Sequence, residues 1–107
     1  MLYCLIYNLN SSSWRKSRFI NMVLSKLNEN NSVDYFETKT IIEAKKIFKN
    51  FNQKNYDRLI VAGGDGSVSF AINELIKNDF NFKDGFAIGY IPAGTANLLQ
   101  AELSMNK

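Results

Sequence analysis

The chain has 107 residues, 46% hydrophobic and 21% charged, which suits one domain that buries roughly two-thirds of its unfolded surface and leaves no room for a second. Thirteen basic against ten acidic residues give a net charge of +3, which favours anionic ligands or an anionic lipid surface but is too small to make nucleic acid the main partner. With no histidine and a single cysteine, Cys4, the sequence excludes a Ser-His-Asp or Cys-His nucleophile, a His/Cys zinc site and a disulfide framework. Chemistry is left to carboxylates, hydroxyls, Lys, Arg and backbone amides.

Met1 to Tyr7 is an apolar run of strand length that turns polar at Asn8. It lacks the basic start and the length of a signal peptide, and no stretch reaches the ~18 apolar residues of a membrane span, so a cytoplasmic protein is expected, with Cys4 as a small core residue. Ile20, Val23, Leu24 and Leu27 follow at the spacing of one buried helix face. Ahead of them Trp14-Arg15-Lys16-Ser17-Arg18 pairs basic residues with an aromatic. Such a cluster can rest on an anionic membrane, although an ordinary solvated helix start is the commoner use.

After the break at 28–32, Val33 to Phe36 reads as a short strand. Ile41, Ala44, Phe48 and Phe51 then mark a second amphipathic helix, which the polar 52–55 segment ends. Leu59-Ile60-Val61-Ala62 is apolar on both faces, as a central parallel strand should be. Val68, Ala71, Ile72 and Leu75 give a third helix face, Phe86 to Ile91 a further strand, and Ala96, Leu99 and Leu103 a fourth helix. Asparagine is frequent throughout, and its runs carry no weight beyond turn formation. Four strand-then-helix units in succession predict an α/β fold, a parallel sheet layered between helices. In such sheets ligands sit at the carboxyl ends of the strands.

Two strand-to-helix turns stand out there. Gly63-Gly64-Asp65-Gly66-Ser67 follows the central strand, and three glycines in four positions give a backbone free to adopt left-handed conformations and to approach a ligand at a helix N-terminus. That is an anion cradle, most simply for phosphate. The alternative is a tight turn in which Asp65 or Ser67 caps the helix. No Gly-Lys-Ser/Thr follows, and Ser69 stands where a dinucleotide fingerprint would place its third glycine. Pro92-Ala93-Gly94-Thr95-Ala96-Asn97 repeats the design, with Thr95 as a ligand contact or a plain N-cap. Asn8, Asn10, Ser11 and Ser12 in the first loop, and Thr38 after the second strand, are placed to add donors to the same crevice.

These residues carry a resemblance. Gly63 to Ser67 resembles the GGDGT signature of the diacylglycerol kinase catalytic domain, which sphingosine kinases and NAD kinases share. Ala87 to Asn97 is similar to a Gly-x-x-Pro-x-Gly-Thr-x-Asn segment of the lipid kinases that NAD kinases lack, and this selects the lipid branch. Ile6 to Ser12 resembles the family's opening Asn-Pro-x-Ser-Gly, and Thr38 matches its threonine after the second strand.

The resemblance implies a three-layer NAD kinase/diacylglycerol kinase-like ATP-binding domain over 1–107. It also implies ATP with Mg2+ as cofactors, and a lipid alcohol such as diacylglycerol as acceptor at a membrane surface, with the protein peripheral to the inner face of the membrane. Asn8, Asn10, Ser11, Ser12, Thr38, Gly63, Gly64, Gly66, Ser67, Gly94, Thr95 and Asn97 would surround the nucleotide, with Asp65 at its phosphate and metal end. Leu9, Ser12 and Ser67 depart from the family pattern, and Ser69 and Phe70 stand where the family usually has Asn-Glu. In the family a second, mostly β domain supplies the catalytic carboxylate, so this chain is expected to be the ATP-binding half, inactive by itself and completed by that domain or a dimer partner. The alternatives are an NAD kinase relative and a non-catalytic nucleotide-binding remnant.

Overall fold

The computed structural model describes residues 1–8, 18–64 and 66–92, with the side chains of 18 and 19 excepted. The expected fourth helix and the Trp14 cluster fall outside the described residues. Four strands, β1 (Leu2–Asn8), β2 (Ser32–Thr38), β3 (Arg58–Gly63) and β4 (Ala87–Pro92), form one sheet in the order β2-β1-β3-β4. Every pairing is parallel, with Leu5 opposite Tyr35 on one side and Ile60 on the other, and Ile60 opposite Gly89.

Parallel neighbours need crossovers, which α1 (Arg18–Asn28), α2 (Ile41–Lys49) and α3 (Ser67–Lys77) provide. The period-2 alternation of the two central strands sorts their side chains between the layers. Cys4 and Ile6 of β1, with Leu59 and Val61 of β3, face Phe48 of α2 and Ala71 and Leu75 of α3. Leu5, Tyr7 and Ala62 face Ile20 and Leu24 of α1. The three-layer α/β architecture expected from the sequence is therefore present. Its continuous apolar strands follow from burial on both faces.

Two local expectations need correction. The second helix does not run to Phe51: it ends at Lys49 with Asn50 as C-cap, and a 3-10 turn, η1 (Phe51–Lys54), carries Phe51 into the core. The chain leaves η1 through Asn55 at φ 54°, a left-handed conformation that asparagine accepts at small cost. On α3, Ile72 is exposed and Glu74 buried. The helix seats Ser67, Ala71 and Leu75 at i, i+4 and i+8, and this stripe is rotated by roughly 50° from the expected one.

Candidate phosphate-binding site at the sheet switch point

The chain leaves β1 towards β2 on one side, whereas β3 leads to β4 on the other. The carboxyl ends of β1 and β3 therefore flank the point where the strand order reverses, which is where open α/β sheets bind ligands. Asn8 ends β1, Gly63 ends β3, Thr38 ends β2 and Ser67 opens α3, so four of the residues singled out in the sequence meet at one place.

Their side chains form a chain of hydrogen bonds. The Thr38 hydroxyl donates to Asn8 Oδ1 at 2.5 Å, and Asn8 Nδ2 donates to Ser67 Oγ at 3.2 Å. Thr38 is 2% and Ser67 5% exposed. Thr38 thus acts on the crevice through Asn8, whose orientation it fixes from one side while Ser67 fixes it from the other. The amide still has a second proton and a second lone pair. Two strands and a helix are joined here by one asparagine.

The glycines divide into two kinds. A Cβ on Gly63 would lie 2.6 Å from Ser67 Oγ and 3.1 Å from Asn8 Cβ, so this position is glycine because the strand end and α3 close upon it. Gly64 and Gly66 would meet nothing within 4 Å and are exposed. Neither has a left-handed backbone, Gly66 sitting at φ −84°. Their expected left-handed conformation is corrected accordingly: what they provide is open space above the backbone. Gly66, and not Asp65 or Ser67, is the N-cap of α3. It brings no side chain to the amides of the first turn, which face outward with the positive end of the helix dipole. Ser67 N–H itself donates to Gly64 O at 3.1 Å and closes the turn. Open backbone beside a helix N-terminus fits phosphate oxygens.

Tyr90 of β4 contributes a support that sequence reasoning missed. Its hydroxyl lies 2.9 Å from Gly64 O and 3.2 Å from Gly63 O and holds the turn from the neighbouring strand. Its position just ahead of Pro92 on the adjacent strand was the available signal. A cavity of about 250 Å³ opens beside the turn, lined by Asn8, Thr40, Ile41, Ala44, Gly66 and Phe70. Phe70, which stands where the resemblance led one to expect an acid, makes an apolar wall there, with its ring edge-on to Phe48 at 6.1 Å. Asn10, Ser11, Ser12, Asp65, Gly94, Thr95 and Asn97 lie outside the described residues. Among the described residues no cluster of acidic or cysteine side chains could hold a metal ion, and no helix is long and apolar enough to cross a membrane.

The model of the diacylglycerol kinase catalytic domain matches residues 3–107, and the chain belongs to that family, whose fold is NAD kinase-like. Over 85 residues it is 32% identical to a protein of Streptococcus pneumoniae serotype 4 (strain ATCC BAA-334 / TIGR4) provisionally named a lipid kinase. That match takes in 74% of this chain and 28% of the pneumococcal protein, so the chain spans well under half of that relative's length.

Proposed function

We propose that this chain is the ATP-binding portion of a lipid kinase, one that moves the γ-phosphoryl group of ATP to the hydroxyl of a diacylglycerol-like lipid. The observation that carries the reading is the meeting of Asn8, Thr38 and Ser67 around an unobstructed glycine backbone at the sheet's switch point. Phosphoryl transfer asks mainly for positioning and charge neutralisation. In this reading the first-turn amides of α3 and the backbone at Gly64 and Gly66 hold phosphate oxygens. Asn8, braced from both sides, offers its free amide proton. The cavity lined by Ile41, Ala44 and Phe70 takes the less polar part of the nucleotide. Asp65, Thr95 and the first-loop hydroxyls add to this set, Asp65 as the carboxylate nearest the Mg2+ that accompanies ATP and neutralises its phosphates.

Calorimetric titration of the chain with Mg-ATP tests the binding step. Because a Cβ at Gly64 would meet nothing within 4 Å, Gly64→Val should keep the fold, checked by dichroism, and lower affinity at least tenfold by occupying the phosphate's place. Asp65→Asn should weaken the dependence on magnesium. Equal affinity in all three folded proteins would overturn the cradle. Offering the full-length protein diacylglycerol vesicles and NAD in parallel tests the acceptor, and phosphorylation of NAD alone would reverse the lipid assignment. The replacement of an acid by Phe70 favours a second reading, a nucleotide binder without catalysis. ATP binding with no phosphorylated product from either acceptor would select it.

A further inference from the structure

A second cavity lies away from the crevice. It measures about 280 Å³, and its walls include Phe36 of β2, Ile47 of α2, Phe51 of η1 and Tyr56, with Lys46 and Lys54 among its lining residues. It shares no lining residue with the cavity beside the glycine turn. It lies by η1, which leads into the amino end of β3, whereas Asn8, Thr38 and Gly63 mark the carboxyl ends of their strands. We propose that this face binds an anionic membrane lipid, with an acyl chain in the apolar slot and its head group against Lys46 and Lys54. The proposal goes beyond the kinase reading and does not depend on it.

Three observations combine. The first is the slot itself, whose aromatic and aliphatic walls suit a hydrocarbon and whose volume, just under the usual ~300 Å³ lower bound for ligand pockets, suits only part of a longer molecule. The second is charge. Residues 39–54 hold Lys39, Lys45, Lys46, Lys49 and Lys54 against the single acid Glu43, a net +4 in a chain whose total is +3. Neither Lys46 nor Lys54 takes part in the ion pairs found among the described residues, which are Lys26–Glu29 and Lys83–Asp57. The third is the side of α2 turned away from Ala44 and Phe48. It presents Ile42, 68% exposed, among these lysines.

Aliphatic side chains among unpaired lysines are the pattern of a surface that rests on anionic lipid. A neutral hydrocarbon would leave the cations unused, and a free phosphate would leave the slot empty. An anionic lipid satisfies both.

Titration with dihexanoyl phosphatidylglycerol and dihexanoyl phosphatidylcholine, each below its micelle threshold, tests the site, with vesicles of the same head groups in parallel. The glycerol lipid should bind at least tenfold more tightly. Lys46→Glu combined with Lys54→Glu should lower that affinity by more than tenfold, since each lysine near an anionic lipid surface contributes roughly a factor of five. Gln53→Trp, at an exposed position that also lines the slot, should lower it similarly by filling the cavity. Lys26→Glu on α1 should change nothing. Equal affinity for the two head groups would overturn the proposal, as would vesicle binding without monomer binding, or loss in the lysine variant with none in Gln53→Trp. Mg-ATP affinity should be unchanged in all of these proteins, and a parallel fall would show that the two sites are one.

Discussion

At the scale of single residues, adjacent glycines should respond in opposite ways. Gly63→Ala forces a methyl into contact with Ser67 Oγ and Asn8 Cβ, and overpacking of this kind costs about 1–3 kcal/mol. Gly64→Ala meets open space and should leave the urea midpoint nearly unchanged. Denaturant titration of the two variants checks this. Equal stabilities would mean that Gly63 is not pinched between β1 and α3. The sequence marked the glycine turn but could not distinguish its members, since a glycine needed for tight packing and one needed for open space are written alike. It also pointed to Thr38 and Asn8 separately without showing that one braces the other, because their bond spans 30 positions. Tyr90 escaped for the same reason: its hydroxyl reaches a turn 26 residues away.

At the scale of elements, α3 is held by a narrow stripe, and neighbouring positions on it should differ sharply. Leu75 is fully buried against the sheet and Ile76 is 61% exposed, although both are large aliphatics. Leu75→Ala should cost about 2–5 kcal/mol through lost transfer energy and a residual cavity, and Ile76→Ala well under 1 kcal/mol. Thermal or urea unfolding measures both, and similar losses would mean that the helix is rotated from the position described. Hydrophobic spacing located α3 but misjudged its face, because Ile72 looks as suitable for the core as Ala71. What decides is how close the helix comes to the strand end at Gly63, a tertiary distance absent from the pattern. The end of α2 was missed similarly. Phe51 lies three residues after Phe48, a spacing that either a continued α-helix or a 3-10 turn satisfies, and its packing on Tyr56, with ring centroids 4.7 Å apart, and on Phe80 at 5.2 Å chose the second.

For the molecule as a whole, Asp57 ties together the amino ends of three strands. Its carboxylate accepts from the Leu2 amide at 2.8 Å and pairs with Lys83 at 2.9 Å, immediately before β3 and a few residues ahead of β4. The Leu2 amide first, and Lys83 second, hold its pKa below the ordinary carboxylate value. The native state thus binds this proton less readily than the unfolded chain. The resulting stabilisation is complete above the unfolded pKa of about 3.9 and disappears as pH falls through the lower native value. Asp57→Asn should be less stable than the wild type at pH 7, with the gap narrowing as the pH is lowered below about 4. A gap that stays constant down to pH 2 would show that the charge contributes nothing. The layered architecture itself was legible because strands buried on both faces are apolar throughout, and helical periods between them leave few other arrangements.

The strand order also governs what happens while the chain is being made. β1 is synthesised first yet lies in the interior of the sheet, and the neighbour on its β3 side, reached through pairs such as Leu5 with Ile60, is translated more than 50 residues later. Until β3 has left the ribosome, the apolar edge of β1 is unpaired and open to other nascent chains, the condition under which parallel sheets aggregate. Ribosome-bound chains arrested before Arg58 should therefore be readily cleaved by protease and prone to capture by chaperones, and those arrested far enough beyond Lys77 for α3 to emerge should become resistant together along the length from β1 to α3.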